Sequence, residues 1–111
     1  MRMENWPENV VLVHLPREVH RHTELDTTID AVRKTGDFDV VVDFSEVDIV
    51  GSPTFSRLLE LRNVLRQSGH RLVLCHADPA TKSVFVTTEL DRLFEFAESE
   101  SAALATLRAN G

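Results

Sequence analysis

Apolar runs and amphipathic stretches alternate along this chain, and the alternation predicts an α/β fold: one domain with a mostly parallel, mixed sheet of about four to five strands and about four helices. Three observations carry that expectation. Asn9–Leu15, Asp39–Phe44 and Arg71–Cys75 are rich in β-branched and other apolar residues, and they are nearly continuous in that character, as strands covered on both faces are. Between them lie segments whose apolar residues recur at helical spacing. Ser52-Pro53 and Asp78-Pro79 each pair a capping residue with a proline, which suits a helix start because the first helical N–H has no partner in any case.

Taken in order, the first strand is followed after Pro16 by a short extended piece around Glu18 to His20. Thr23 reads as an N-cap, with Asp26 three residues on as a partial capping box. Leu25, Ile29 and Val32 continue the helix, and Gly36 ends it. After the central strand, Phe55, Leu58, Leu59, Leu61, Val64 and Leu65 form a broad apolar stripe that Gly69 stops. Asp78-Pro79 opens a short helix through Val84 and Phe85. Leu93 to Phe96 reads as a short last strand, and Ser99 caps a final helix with Ala103, Leu104 and Leu107 inward. No internal repeat, low-complexity tract or linker interrupts residues 1–111, so one domain is expected, with its core over about 9–108.

Bulk composition narrows the function. Of 111 residues, 42% are hydrophobic and 27% charged, and the formal net charge is −6; these are ordinary globular values. Lys and Arg look scattered along the chain, without the basic stripe of a nucleic-acid binder, so no nucleic-acid partner is expected. The N-terminus has no signal-peptide core and no run is long enough to span a bilayer, so no membrane insertion and a cytoplasmic location are expected. Cys75 is the only cysteine, which excludes an intrachain disulfide and a cysteine zinc site; inside an apolar run it reads as a small buried hydrophobe.

Enzymatic motifs are missing. No phosphate-binding glycine pattern occurs among the four glycines, and Ser52 has no nucleophile-elbow surroundings. His20 and His22 face one way on an extended segment but lack further ligands, and His14 and His76 read as satisfied polar neighbours of strands. Asp43, Glu46 and Asp48 read as polar residues where a strand leaves the sheet. No enzyme, no cofactor and no metal are therefore expected. Ser52 itself carries two readings: a cap worth about 1 kcal/mol, or a phosphorylation switch adding about −1.5 to −2 charges at a helix start, where unpaired N–H groups favour an anion.

The element order, Asp43-Phe-Ser45 with Val47 before a helix-start loop, the Arg71–Cys75 strand followed by the Asp78-Pro79 helix, and the Leu93-Phe-Glu-Phe96 end together resemble a STAS domain. This is the family of bacterial anti-sigma factor antagonists and of the cytoplasmic domains of sulfate transporters, and the resemblance covers roughly Val10 to Leu107. It implies a single STAS-like domain that docks on an anti-sigma factor which is also a serine kinase, with phosphorylation at the second long helix switching it off. The family's Asp-Ser-Ser-Gly falls on Gly51, Ser52, Pro53 and Thr54, so the acceptor position holds a proline. The family's Gly-Glu-Leu-Asp falls on Arg17, Glu18, Val19 and His20, keeping only the glutamate. The resemblance thus implies a partner-binding surface of Glu18, His20, Asp48, Gly51, Ser52, Pro53, Thr54 and Arg57, with Ser52 or Thr54 as phosphoacceptor. The expected partner is an anti-sigma factor of kinase type or, alternatively, the ATPase subunit of an ABC-type membrane transporter served by this chain as an accessory subunit. Oligomeric state stays open, a homodimer included.

Overall fold

The computed structural model describes residues 2–6, 9–15, 23–47 and 52–109. Among them, five strands form one sheet in the order β1-β2-β3-β4-β5: β1 (Arg2–Trp6), β2 (Val10–His14), β3 (Asp39–Asp43), β4 (Leu72–Cys75) and β5 (Glu95–Ala97). β1 runs antiparallel to β2 and the other neighbours are parallel. The helices are α1 (Thr23–Lys34), α2 (Ser52–Gln67), α3 (Pro79–Thr87) and α4 (Glu100–Ala109), with a 3₁₀ turn at Leu90–Arg92.

Sequential parallel strands joined by crossovers of one hand place all the crossover helices on one face. Accordingly, Leu25, Ile29 and Val32 of α1, Leu58, Leu61 and Leu65 of α2 and Phe85 of α3 pack with Val11, Val13, Val40, Val42, Leu72 and Leu74. The alternate strand residues Val10, Leu12, Val41, Val73 and Cys75 face the other way and are covered by Ala103 and Leu107 of α4. The period of two along each strand explains why these strands read as unbroken apolar runs: both faces are roofed.

Local signals placed most boundaries. Gly36 takes a left-handed φ of 58° after α1, and a Cβ there would lie 2.6 Å from Ser68 Oγ, so both backbone and space call for glycine. The Asp78 carboxylate accepts from Thr81 N at 2.7 Å, and Ser99 Oγ accepts from Ala102 N at 3.1 Å. Two expectations change. The N-terminal strand β1 has no counterpart in the expected order, because Arg2-Met-Glu-Asn-Trp6 lacks a clean alternation and is held by its ladder to β2. The last strand begins two residues later than expected, because the turn at Leu90–Arg92, entered through Glu89 at φ 62°, occupies the approach. The extended piece at Glu18–His20 lies outside the described residues.

Candidate functional site

The parallel register delivers the C-terminal ends of β2, β3 and β4 to one edge, where ligand and partner sites of open α/β sheets concentrate. α2 starts at that edge with Ser52 as its first residue. Pro53 is exposed, whereas Thr54 is only 2% exposed. Helical geometry turns Thr54 inward, one position before the core residue Phe55. Arg57, one turn on, is partly exposed and pairs through Nε with Asp26 of α1 at 3.4 Å. Glu18, His20, Asp48 and Gly51 lie outside the described residues, so of the expected surface the structure brings together Pro53, Thr54, Arg57 and the backbone of Ser52.

Behind this edge lies a polar row that sequence reasoning did not assemble. His14, Asp43 and Cys75 are direct cross-strand partners. On their strands they have the same parity as Leu12, Val41 and Val73, and so point toward α4. His14 Nδ1 lies 3.1 Å from Asp43 Oδ2, and His14 Nε2 lies 3.8 Å from Glu100 Oε2. Asp43 also accepts from Ser45 N at 2.8 Å. Burial alone would raise the Asp43 carboxyl, but hydrogen bonds with Glu100 and with the Ser45 backbone and side chain outweigh it and hold Asp43 below its ordinary value. Glu100 is raised, first by that hydrogen bond to Asp43 and then by burial, so of the two carboxyls Glu100 takes up a proton more readily. Burial, with Asp43 and Glu100 adding negative charge, pushes the Cys75 thiol up to about 12. The available signal was parity: residues 14, 43 and 75 each end a strand on one face.

At the opposite edge several cations come together. Arg62, Arg66, Arg71 and Arg92, with His70, line a cleft of about 310 Å³. Cations that look scattered in sequence are thus partly gathered in space. Arg71 is committed to Glu95, with Nε to Oε2 at 3.0 Å, and His70 to Asp39 at 3.1 Å.

The STAS domain family model matches residues 8–103, and the chain belongs to that family. Among solved structures, an anti-sigma-factor antagonist (STAS) domain protein from Planctomyces limnophilus is 18% identical with a TM-score of 0.83, covering 96% of this chain and 97% of its own. An anti-sigma factor antagonist from Thermotoga maritima is 17% identical with a TM-score of 0.81, covering 96% and 93%. The phosphorylated form of the Bacillus cell fate determinant SpoIIAA is 18% identical with a TM-score of 0.72, covering 95% and 96%. At these identities the likeness is one of fold. Among the described residues, no helix is long and apolar enough to cross a membrane.

Proposed function

We propose that this STAS domain is a non-catalytic regulatory module of the bacterial cytoplasm, acting in transcription regulation by docking an anti-sigma factor of serine-kinase type through the start of α2. The observation that carries the reading is the arrangement at that helix start. Ser52 begins α2 at the carboxyl edge of the sheet, Pro53 faces outward, and Thr54 is turned into the core. The first position of a helix stands beside unpaired N–H groups and the positive end of the helix dipole, which accommodate a phosphate. The similar structures of anti-sigma factor antagonists, with SpoIIAA known in a phosphorylated form, support the same reading.

Ser52 is therefore the phosphoacceptor of choice, with Thr54 set aside by its burial. A phosphate at Ser52 would act on the partner through charge and bulk rather than by unfolding α2. Incubation with the cognate kinase and ATP, followed by peptide mass spectrometry, should yield a modified Ser52 peptide that vanishes in Ser52→Ala. Modification at Thr54 instead, or none under conditions that modify a control antagonist, would sink the switch. Affinity capture from the native organism tests the partner: a kinase-type anti-sigma factor supports the proposal, and an ABC-transporter ATPase would replace it.

A further inference from the structure

We propose that the carboxyl edge of the sheet holds a site for one divalent transition-metal ion of the Zn²⁺ class, with His14, Asp43 and Glu100 as ligands and His76 beside them. The site is a product of register. β2 and β3 are paired so that His14 and Asp43 stand side by side on the face toward α4. Packing of Ala103 and Leu107 against that face brings Glu100, the first residue of α4, over the same two side chains. His76 follows directly on Cys75, the next residue of the row, and is held at a left-handed φ of 57°.

The donor geometry fits a small ion. Zn²⁺ binds imidazole nitrogen and carboxylate oxygen at about 2.0–2.2 Å, which puts neighbouring ligands of a tetrahedral site roughly 3.3–3.6 Å apart. A single ion takes one nitrogen of His14, so of its two contacts, Nδ1 to Asp43 Oδ2 at 3.1 Å and Nε2 to Glu100 Oε2 at 3.8 Å, one is a ligand–ligand edge and the other a hydrogen bond. Donor atoms of His14, Asp43 and Glu100 all lie within 4.8 Å of one another, and so do those of Asp43, Cys75 and His76. The two groups share Asp43, whose side chain is 3% exposed. Glu100, at 31%, sits at the rim.

Several features separate this cluster from an ordinary polar surface. Its donors come from β2, β3, the β4–α3 turn and α4, so the tertiary fold has converged them. Both ring nitrogens of His14 face carboxylate oxygens. A divalent ion beside Asp43 and Glu100 would offset the repulsion between two neighbouring carboxylates. A mixed imidazole and carboxylate set suits Zn²⁺ and its first-row neighbours. His70 with Asp39, also at 3.1 Å, gives an internal contrast: that pair belongs to neither convergent group.

The full chain, freed of metal by chelator, is titrated with Zn²⁺ by calorimetry and with Co²⁺ by visible absorption. The expected result is one ion per chain, with a Co²⁺ ligand-field spectrum lacking a thiolate charge-transfer band. Glu100→Gln should weaken binding by about tenfold or more and remove the rise in melting temperature that Zn²⁺ gives the unsubstituted protein. A His20→Ala/His22→Ala double variant should bind as before. Because His14 is largely buried, it is followed without substitution: its ring-nitrogen resonances, with those of His76, should shift on Zn²⁺ while those of His70 stay. Absence of binding, full affinity in Glu100→Gln, loss in the His20/His22 variant, a thiolate band from Cys75, or shifts confined to His20, His22 or His70 would each overturn the proposal.

Discussion

Phe85 is the residue on which the larger core closes. It is fully buried and meets Phe44, Phe55, Phe94 and Phe96 edge to face, with ring centroids 4.8 to 6.4 Å apart. Such pairs add to the burial of the ring itself. Phe85→Ala should therefore cost about 3–5 kcal/mol in denaturant unfolding, and a loss below about 1 kcal/mol would mean that the aromatic cluster is not the keystone of this face. Cys75 makes an opposite prediction about reactivity. With no exposed surface and its thiol pushed up to about 12 by burial and by the negative charge of Asp43 and Glu100, it should resist a thiol reagent at mildly alkaline pH in the native state and react fully once unfolded. Rapid native labelling would contradict the packing of the α4 face. Its apolar run, Arg71-Leu-Val-Leu-Cys75, already announced a buried thiol; the carboxylates beside it come from β3 and α4 and were not visible in that run.

Elements begin and end where local chemistry dictates. α3 starts at Pro79 behind Asp78, whose carboxylate accepts from Thr81 N. This backbone hydrogen bond, with one from the Thr81 hydroxyl, holds the Asp78 carboxyl below its ordinary value of 3.8. A depressed carboxyl stabilises the fold above the unfolded-state value, and the contribution is lost as pH falls through the lower folded value. Asp78→Ala should accordingly unfold at lower denaturant than the parent near neutral pH, with the gap narrowing as the pH is taken down through and below 3.8. A gap independent of pH would assign the loss to something other than the cap. The helix starts at Asp78-Pro79 and Ser99 and the stops at Gly36 and Gly69 were legible because caps and left-handed glycines act within a few residues. β1 was not legible, since an edge strand is chosen by the ladder it completes rather than by its own pattern.

At the scale of the molecule, one sheet serves two cores of unequal depth. Among the described residues, α1, α2 and α3 cover one face, and α4 covers Val10, Leu12, Val41, Val73 and Cys75 on the other. Truncation after Ala97 should thus expose a continuous apolar surface, seen as dye binding and self-association in sedimentation; a truncated chain that stays monomeric and dye-negative would show that α4 is dispensable. The same division positions the two candidate sites. The α2 start rises beside the carboxyl edge, and α4 lays Glu100 over the row beneath it. The arginine cleft lies at the far edge, out of line with both.

What the sequence determined by itself is what depends on near neighbours: the kind of each main element, most of its ends, the inward stripe of each helix and the α/β alternation that requires a parallel sheet. Those properties follow from side-chain periodicity and from capping chemistry within a turn or two. Only the tertiary structure decided which distant residues meet. Register set His14 beside Asp43 and Cys75, helix rotation buried Thr54 while leaving Pro53 outside, and the return of α4 brought Glu100 back from the last helix to Asp43 in the middle of the sheet. The physical reason is that such contacts stabilise nothing until loop closure and collapse have occurred, so no local pattern has to announce them.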